Sequence, residues 1–312
     1  MRIGLALPHY DFSFADGGAL TWGRMKDAAL HAESLGFDSI WISDHFYLDL
    51  SRYGGSERLH GSVEPFTALA ALAVVTSRVR LGTLVACAGF RHPGIVAKMS
   101  TAIDLLSDGR FDLGLGAGWY EREYRSFGYP FGSAGDRFRQ LHEIVGAVRS
   151  LFDEGPVDLD GEFVRLSGAY NRPRPAQPGG PPVWVGGKGG PRLLRLVAER
   201  GDGWNTVWRW SPDDYAERIR YLERVCDRVG RDPATVRRSV GLYSLVGQDD
   251  RDVAHRFEAL RRWTPGGALD RTSVAAYARD TLTGTPEDCI KRLSRFAELG
   301  VEEVIVSAAS LP

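Results

Sequence analysis

The length, composition and charge of the chain are those of an ordinary globular enzyme. It has 312 residues, of which 43% are hydrophobic and 25% charged, and its formal net charge is -1. A charge this close to zero excludes a general electrostatic attraction to nucleic acid or to anionic membranes. No segment has the apolar length of a membrane span or of a signal peptide, so we expect a cytoplasmic protein. We expect it to bind neither nucleic acid nor a membrane.

Eight short β-rich segments recur along the chain and predict the strands of a parallel sheet. The clearest are continuous apolar runs, which is typical of parallel strands covered on both faces. In chain order they are Ile3–Pro8, Ser39–Ser43, Val79–Ala86, Phe111–Gly116, Pro182–Gly186, Gly203–Thr206, Ser239–Val246 and Val304–Ser307.

Helical patterns alternate with these strands. The first has an apolar face from Met25 to Leu35, and the last opens with Thr285 as N-cap and Pro286 in its first turn. Between them, apolar stripes span Phe66–Val74, Ile95–Leu106, Phe138–Leu151 and Tyr215–Val229. The stripe of the last helix is Ile290–Leu299. The alternation predicts a (β/α)₈ barrel, with a doubly wound open sheet as the alternative.

One segment, at about residues 120–180, interrupts the alternation. Val157–Val164 has strand character on both sides of Asp160 and Gly161, which predicts a tight hairpin. We place this segment as an insertion before strand five. It either shapes the mouth of a pocket or decorates the surface.

The three cysteines predict neither a disulfide nor a metal site. Cys87, Cys226 and Cys289 lie far apart, form no C-x-x-C pair and are odd in number. We expect buried thiols at Cys226 and Cys289, and we expect no metal.

Candidate functional residues are those that follow the strands, because barrel enzymes carry their chemistry at the C-terminal ends of the strands. Asp44 and His45 follow strand two. An imidazole next to a carboxylate can exchange a proton near neutral pH. The alternative is that both residues only cap a loop. His92, after strand three, has a helix N-terminal position as its alternative role.

Glycine-rich segments follow strands four and five. In Gly114–Trp119, closely spaced glycines would let the backbone approach a flat ligand on which Trp119 stacks, or they reflect a crowded barrel rim. Gly186–Arg192 runs into a helix, and free N–H groups at a helix start bind phosphate. Its alternative is a flexible turn. The tryptophans at 204, 208 and 210 line a substrate pocket or pack in the core.

Taken together, these segments resemble the luciferase-like monooxygenase superfamily. The resemblance is carried by Gly36–Phe46, Ser77–Val85, Arg91–Gly128, Pro181–Asn205 and Gly230–Val236. Within the superfamily the sequence is most similar to actinobacterial F420-dependent oxidoreductases. The resemblance implies one barrel domain over residues 1–312 with an insertion, and coenzyme F420 as cofactor with FMN as the alternative.

The resemblance also implies a role for each candidate residue. Asp44 and His45 would flank the reactive ring, with His45 as the catalytic, proton-handling group. Leu84 and Val85 would form a bulge, often a non-proline cis peptide, that backs the ring. The ring system would be bordered by Gly116, Ala117, Gly118 and Trp119, and the cofactor phosphate would be held by Gly186, Gly187, Lys188, Gly189 and Gly190. Related sugar-phosphate dehydrogenases carry a catalytic Glu where this chain has Trp119, and Glu121 is not equivalent, so sugar-phosphate oxidation is not expected.

Three functional hypotheses follow from the resemblance. The first is an F420-dependent oxidoreductase that transfers a hydride between the deazaflavin and a small organic substrate. The second is an FMN-dependent monooxygenase that uses oxygen and receives reduced flavin from a separate reductase. The third is a flavin-binding protein without turnover. We also expect a homodimer.

Overall fold

The computed structural model describes residues 1–14 and 17–308, and within them eight parallel strands form a closed barrel. The strands are adjacent in chain order, and the pairings of β8 with β1 and of β5 with β4 close the ring. This confirms the predicted barrel and excludes the open sheet. The strands are β1 (Arg2–Ala6), β2 (Ser39–Ile42), β3 (Arg80–Thr83), β4 (Phe111–Gly116), β5 (Val183–Gly186), β6 (Gly203–Trp208), β7 (Arg237–Val246) and β8 (Glu303–Ala308).

Helices surround the barrel, and several begin at the caps that the sequence provides. Ser133 and Thr285 each form a capping box with an aspartate three residues later, and Pro286 occupies the first turn as predicted. In the described residues the helices are α1 (Trp22–Ser34), α2 (Pro65–Val75), α3 (Pro93–Leu106), α4 (Glu121–Ser126), α5 (Ala134–Phe152), α6 (Pro191–Arg200), α7 (Pro212–Val229), α8 (Asp250–Trp263), α9 (Val274–Ala278) and α10 (Pro286–Glu298). None of these helices has the length and hydropathy needed to cross a bilayer.

Shorter elements decorate the ends of the strands. Tyr47–Leu48 pairs with His60–Gly61, Ala86–Cys87 extends the third strand position, and Leu282–Gly284 pairs with β7. Short 3₁₀ turns span Ser51–Tyr53, Ala88–Phe90, Pro233–Thr235 and Pro265–Gly267.

The predicted hairpin exists, but its turn is longer than predicted. Its strands are Val157–Asp160 and Arg165–Ala169, joined by a loop that Gly161 N closes onto Val164 O at 2.9 Å. The loop wraps around the carboxylate of Glu143 on α5, which accepts the N–H groups of the three residues from 162 to 164. A tight two-residue turn could not reach that carboxylate in this way.

Other predictions about helices need correction. Ile95 and Ile290 were placed on buried stripes, but both are more than half exposed, and their neighbours Val96 and Cys289 face the core instead. Helices α4, α8 and α9 were not predicted, although the spacing of Val253, Phe257 and Leu260 on α8 was a usable helical signal. Cys226 and Cys289 are buried free thiols, as predicted.

Inside the barrel, two tryptophans fill the middle layer. Trp41 on β2 and Trp184 on β5 meet edge to face, with ring centroids 6.3 Å apart. Glycines on neighbouring strands make the space, since a Cβ on Gly82 would lie 2.3 Å from the Trp41 ring and one on Gly203 2.4 Å from Trp184. The interior is therefore a packed core, as barrels require, and ligands can enter only at its ends.

The N-terminal end of the barrel interior is closed by paired charges. Glu303 on β8 binds Arg2 at 2.8 Å and accepts a hydrogen bond from the Trp41 indole at 2.9 Å. Asp112 on β4 binds Arg80 at 2.6 Å and accepts from the Trp184 indole at 3.1 Å. Both carboxylates are buried and fully engaged by the protein.

Candidate active site

His45 lies at the C-terminal end of the barrel and is held from two sides. Its Nδ1 is 2.9 Å from Oε1 of Glu123, and the other oxygen, Oε2, accepts the backbone N–H of Phe46 at 3.0 Å. The ring of Trp119 meets the imidazole edge to face at 5.6 Å. Within residues 1–14 and 17–308, Nε2 of His45 has no hydrogen-bond partner. The imidazole is thus oriented by the protein and offers one free nitrogen.

Glu123 is itself held in place by contacts of the segment that follows β4. Glu123 lies on α4, and its carboxylate is only 2% exposed. The next residue, Tyr124, contacts Cys87 with its hydroxyl 2.7 Å from Sγ, and burial raises the pKa of Cys87 to about 12. Phe46 stacks on Phe90 at 4.5 Å. These contacts lock α4 against the loops after β2 and β3, so the first part of the insertion shapes this site.

The hairpin part of the insertion lies elsewhere. It packs on the outer side of the barrel against α5, through Glu143 and an ion pair of Arg139 with Glu162 at 3.0 Å. The first part of the insertion thus contacts His45 through Glu123, whereas the hairpin part lies on the outer surface.

Asp44, the neighbour of His45, is fully engaged inside the protein. The guanidinium of Arg91 donates two hydrogen bonds to its carboxylate, at 2.6 and 3.0 Å, and Oδ2 also accepts the N–H of Cys87 at 2.8 Å. Arg91 in turn binds Glu64, the N-cap of α2, at 2.7 Å. This favours a structural role for Asp44 over direct contact with a cofactor.

Next to His45, a relay of hydrogen bonds joins the ends of β1 and β2. Nδ1 of His9 lies 2.5 Å from Leu7 O, which can only accept, so Nδ1 carries the proton and Nε2 accepts from the Ser43 hydroxyl at 2.6 Å. Tyr10 then donates to Ser43 at 2.8 Å. Burial lowers the pKa of His9 to about 4, so the ring stays neutral near pH 7. The sequence analysis did not identify this relay.

The cis peptide bond between Leu84 and Val85 is present, at the end of β3. The Val85 side chain fills space left by glycines on β4 and β5. A Cβ on Gly114, Gly116 or Gly186 would lie 2.5–2.7 Å from a methyl carbon of Val85. These glycines therefore admit a protein side chain, which favours the crowded barrel rim.

The rest of the segment after β4 serves the same packing. Gly118 has a φ of +73°, and a Cβ there would approach the Tyr124 hydroxyl and the sulfur of Cys87. Ala117 is half-buried against the core. The rings of Trp119 and His45 meet edge to face, and the guanidinium of Arg52, from the loop after β2, lies 4.6 Å from the Trp119 ring centroid.

The segment after β5 leads into α6 with free backbone donors. Gly187 donates its N–H to Asn205 O at 3.0 Å, so this amide is not available to a ligand. Among the described residues, the amides of Lys188, Gly189 and Gly190 have no acceptor, and Gly190 is the N-cap of α6. The ammonium of Lys188 contacts Val207 O and lies 5.2 Å from the Trp210 ring centroid. Burial lowers the pKa of Lys188.

The tryptophans at 204, 208 and 210 all pack in or against the hydrophobic core. Trp204 is fully buried and stacks on Tyr215 at 5.1 Å, which is core packing. Trp208, at the end of β6, stacks on Tyr243 of β7 at 5.2 Å. His92 is the N-cap of α3 and accepts from Gly94 N, so it has the helix-terminal role.

Comparison with known proteins agrees with this architecture. The family model described as luciferase-like monooxygenase matches residues 1–303, and the chain belongs to that family. An F420-dependent glucose-6-phosphate dehydrogenase of Intrasporangium calvum is 30% identical over 308 residues, which cover 91% of this chain and 88% of the relative. The family assignment confirms the resemblance drawn from the sequence and the prediction of an oxidoreductase or monooxygenase.

Two solved structures are similar over 100% of this chain and 94% of theirs. One is an F420-dependent secondary alcohol dehydrogenase in complex with an F420-acetone adduct, with a TM-score of 0.81 and 23% identity. The other is a monooxygenase from Streptomyces bottropensis, with a TM-score of 0.78 and 23% identity. At this identity they support the fold.

Proposed function

We propose that the protein is an F420-dependent oxidoreductase that interconverts a small apolar alcohol and the corresponding carbonyl compound. The observation that carries the proposal is the free Nε2 of His45 at the C-terminal end of the barrel, on a ring fixed by Glu123 and Trp119. The relative that is 30% identical over nearly the whole chain supports F420 over FMN.

The residues present fit such a cofactor. The free amides from Lys188 to Gly190, at the N-terminus of α6, suit a phosphate, because the helix dipole and unpaired N–H groups both favour an anion there. Val85 would back the ring. When bound, a deazaflavin supplies the carbon centre that accepts or gives a hydride.

The chain's own contribution is proton handling. Oxidation of an alcohol releases one hydride and one proton, and Nε2 of His45 would take that proton from the substrate hydroxyl. In the reverse direction Nε2–H would return it to the carbonyl oxygen. Asp44 takes no part in this step, because Arg91 and Cys87 N occupy its carboxylate.

The substrate follows from the groups around His45. Trp119 takes the place where related sugar-phosphate dehydrogenases carry a catalytic Glu, and Glu121 is exposed and paired with Arg125 at 2.5 Å. We therefore propose an apolar substrate rather than a sugar phosphate.

Equilibrium titration with coenzyme F420 and with FMN, followed by fluorescence, tests the proposal. We expect at least about tenfold tighter binding of F420, a difference of about 1.4 kcal/mol. Clear preference for FMN would overturn the proposal in favour of a flavin monooxygenase, and binding of neither cofactor would overturn both.

A further inference from the structure

The two oxygens of the buried Glu123 carboxylate serve two different donors. Oε2 accepts the N–H of Phe46, and Oε1 faces Nδ1 of His45. An ionised carboxylate can only accept hydrogen bonds, so Nδ1 must carry a proton. In the neutral imidazole, Nε2 then has a bare lone pair.

We propose that Glu123 is a positioning residue that sets the tautomer of His45 and thereby makes Nε2 a proton acceptor. This inference rests on the proposed function for its catalytic meaning, but the tautomer itself is a property of the protein alone. The side chain is 2% exposed, so water cannot replace the carboxylate as the partner of Nδ1.

The neighbouring groups leave Glu123 no alternative arrangement. Its helix is pinned by Tyr124, whose hydroxyl contacts Cys87, and by Tyr129, whose backbone N–H donates to Tyr124 O at 2.8 Å. On the other side of the imidazole, Trp119 limits rotation of the ring. The carboxylate and the imidazole therefore keep this relative position before any ligand binds.

A single isosteric substitution distinguishes a residue that sets the tautomer of His45 from one that only holds the ring in place. In Glu123→Gln the amide oxygen must take the Phe46 N–H, since an NH₂ group there would place two donors face to face. The amide NH₂ then points at Nδ1 of His45, which can only accept from it. The neutral ring must move its proton to Nε2, so the substitution inverts the tautomer without changing the shape of the side chain.

The experiment is a long-range ¹H–¹⁵N correlation spectrum of the apo protein with ¹⁵N-labelled histidine, at about pH 8.5, where an ordinary imidazole is neutral. The His45 signals are assigned from their loss in His45→Gln. We expect Nδ1–H in the wild type and Nε2–H in Glu123→Gln, with Glu121→Gln as the matched control on the same helix. A wild-type ring protonated on Nε2, or a ring unchanged by Glu123→Gln, would overturn the proposal.

A kinetic measurement adds the catalytic consequence. Single-turnover hydride transfer at saturating cofactor should fall by about 10²-fold or more in Glu123→Gln, as expected when a catalytic histidine has the wrong tautomer, while cofactor affinity changes by less than about threefold. Near-normal transfer by a variant with an inverted tautomer would remove the catalytic meaning of Glu123. If the protein fails to bind F420, the proposed function fails, but the spectra still decide the tautomer. If Glu123→Gln does not fold, the wild-type spectrum decides alone.

Discussion

Polar groups at the two ends of the barrel interior differ in whether the protein itself provides their hydrogen-bond partners. At the N-terminal end, Asp112 and Glu303 are buried carboxylates whose partners are arginines and tryptophan indoles of the same protein. At the C-terminal end, Nε2 of His45 and the amides from Lys188 to Gly190 have no partner among the described residues.

This difference distinguishes the polar groups that stabilise the fold from those that are free to bind a ligand or exchange a proton. A polar group whose bonds are all made inside the protein contributes to folding and has nothing left for a ligand. A polar group held in place but left with a free atom contributes little to stability and can bind or exchange a proton. Substitutions at the two ends should therefore have opposite signatures.

Asp112→Ala should produce the largest loss of stability. It leaves the Arg80 guanidinium and the Trp184 indole without their buried partner, so the free energy of unfolding should fall by about 3–5 kcal/mol. Turnover per folded molecule should remain close to normal. Urea unfolding and active-site titration measure the two quantities.

The matched control is Asp213→Ala, because the Asp213 carboxylate is 82% exposed and its pair with Arg295 lies on the surface. It should cost less than about 1 kcal/mol. Equal losses from the two substitutions would show that the N-terminal network does not carry stability.

His9 sharpens the comparison, because it lies at the C-terminal end but is fully bonded. Burial lowers its pKa to about 4. Between about pH 6.5 and pH 4 the unfolded chain binds a proton there that the folded protein does not, so acidification favours unfolding by up to about 3 kcal/mol. Above about pH 6.5 this penalty is absent.

His9→Gln should therefore flatten the fall in melting temperature between pH 6.5 and 4, even if it lowers stability at pH 7. The exposed residue His31 gives the control, and His31→Gln should leave the slope unchanged. A wild-type slope in His9→Gln would mean that His9 is not held neutral by burial.

Gly190→Asp tests the proposed phosphate site, and we expect it to weaken F420 binding about tenfold, or by about 1.4 kcal/mol. Gly190 has a φ of -68° and no atom within 4 Å of a Cβ, and aspartate is a favourable N-cap, so the fold should be unharmed. The new carboxylate would repel a phosphate at the start of α6.

The control for that substitution is Gly190→Asn, which has the same shape without the charge. Equal affinities for the two variants would move the phosphate elsewhere. Gly187 is unsuitable for this test, because its φ is +151° and a Cβ would lie 2.5 Å from Leu193, so any side chain there strains the loop.

Much of the barrel could be predicted from the sequence because parallel strands buried on both faces are continuous apolar runs. All eight predicted segments overlap barrel strands. The hairpin turn was misjudged because its loop is shaped by Glu143, which is distant in sequence. A local pattern of Asp and Gly carries no information about such a contact.

The site was predictable only in part. The position of His45 after a strand was readable, but its partner Glu123 is 78 residues away, and nothing in the sequence distinguishes it from the exposed Glu121. The glycines of β4 signalled close packing correctly, but the group that they admit is Val85 rather than a ligand. Composition shows that space is needed without showing what fills it.

The most direct test of the account is single-turnover hydride transfer by His45→Ala at saturating F420. If the free Nε2 exchanges the substrate proton, transfer should slow by about 10²–10⁴-fold, while cofactor affinity and melting temperature stay near their wild-type values. Near-normal transfer, or a parallel loss of affinity and stability, would contradict the claim that the open end of the barrel works through His45.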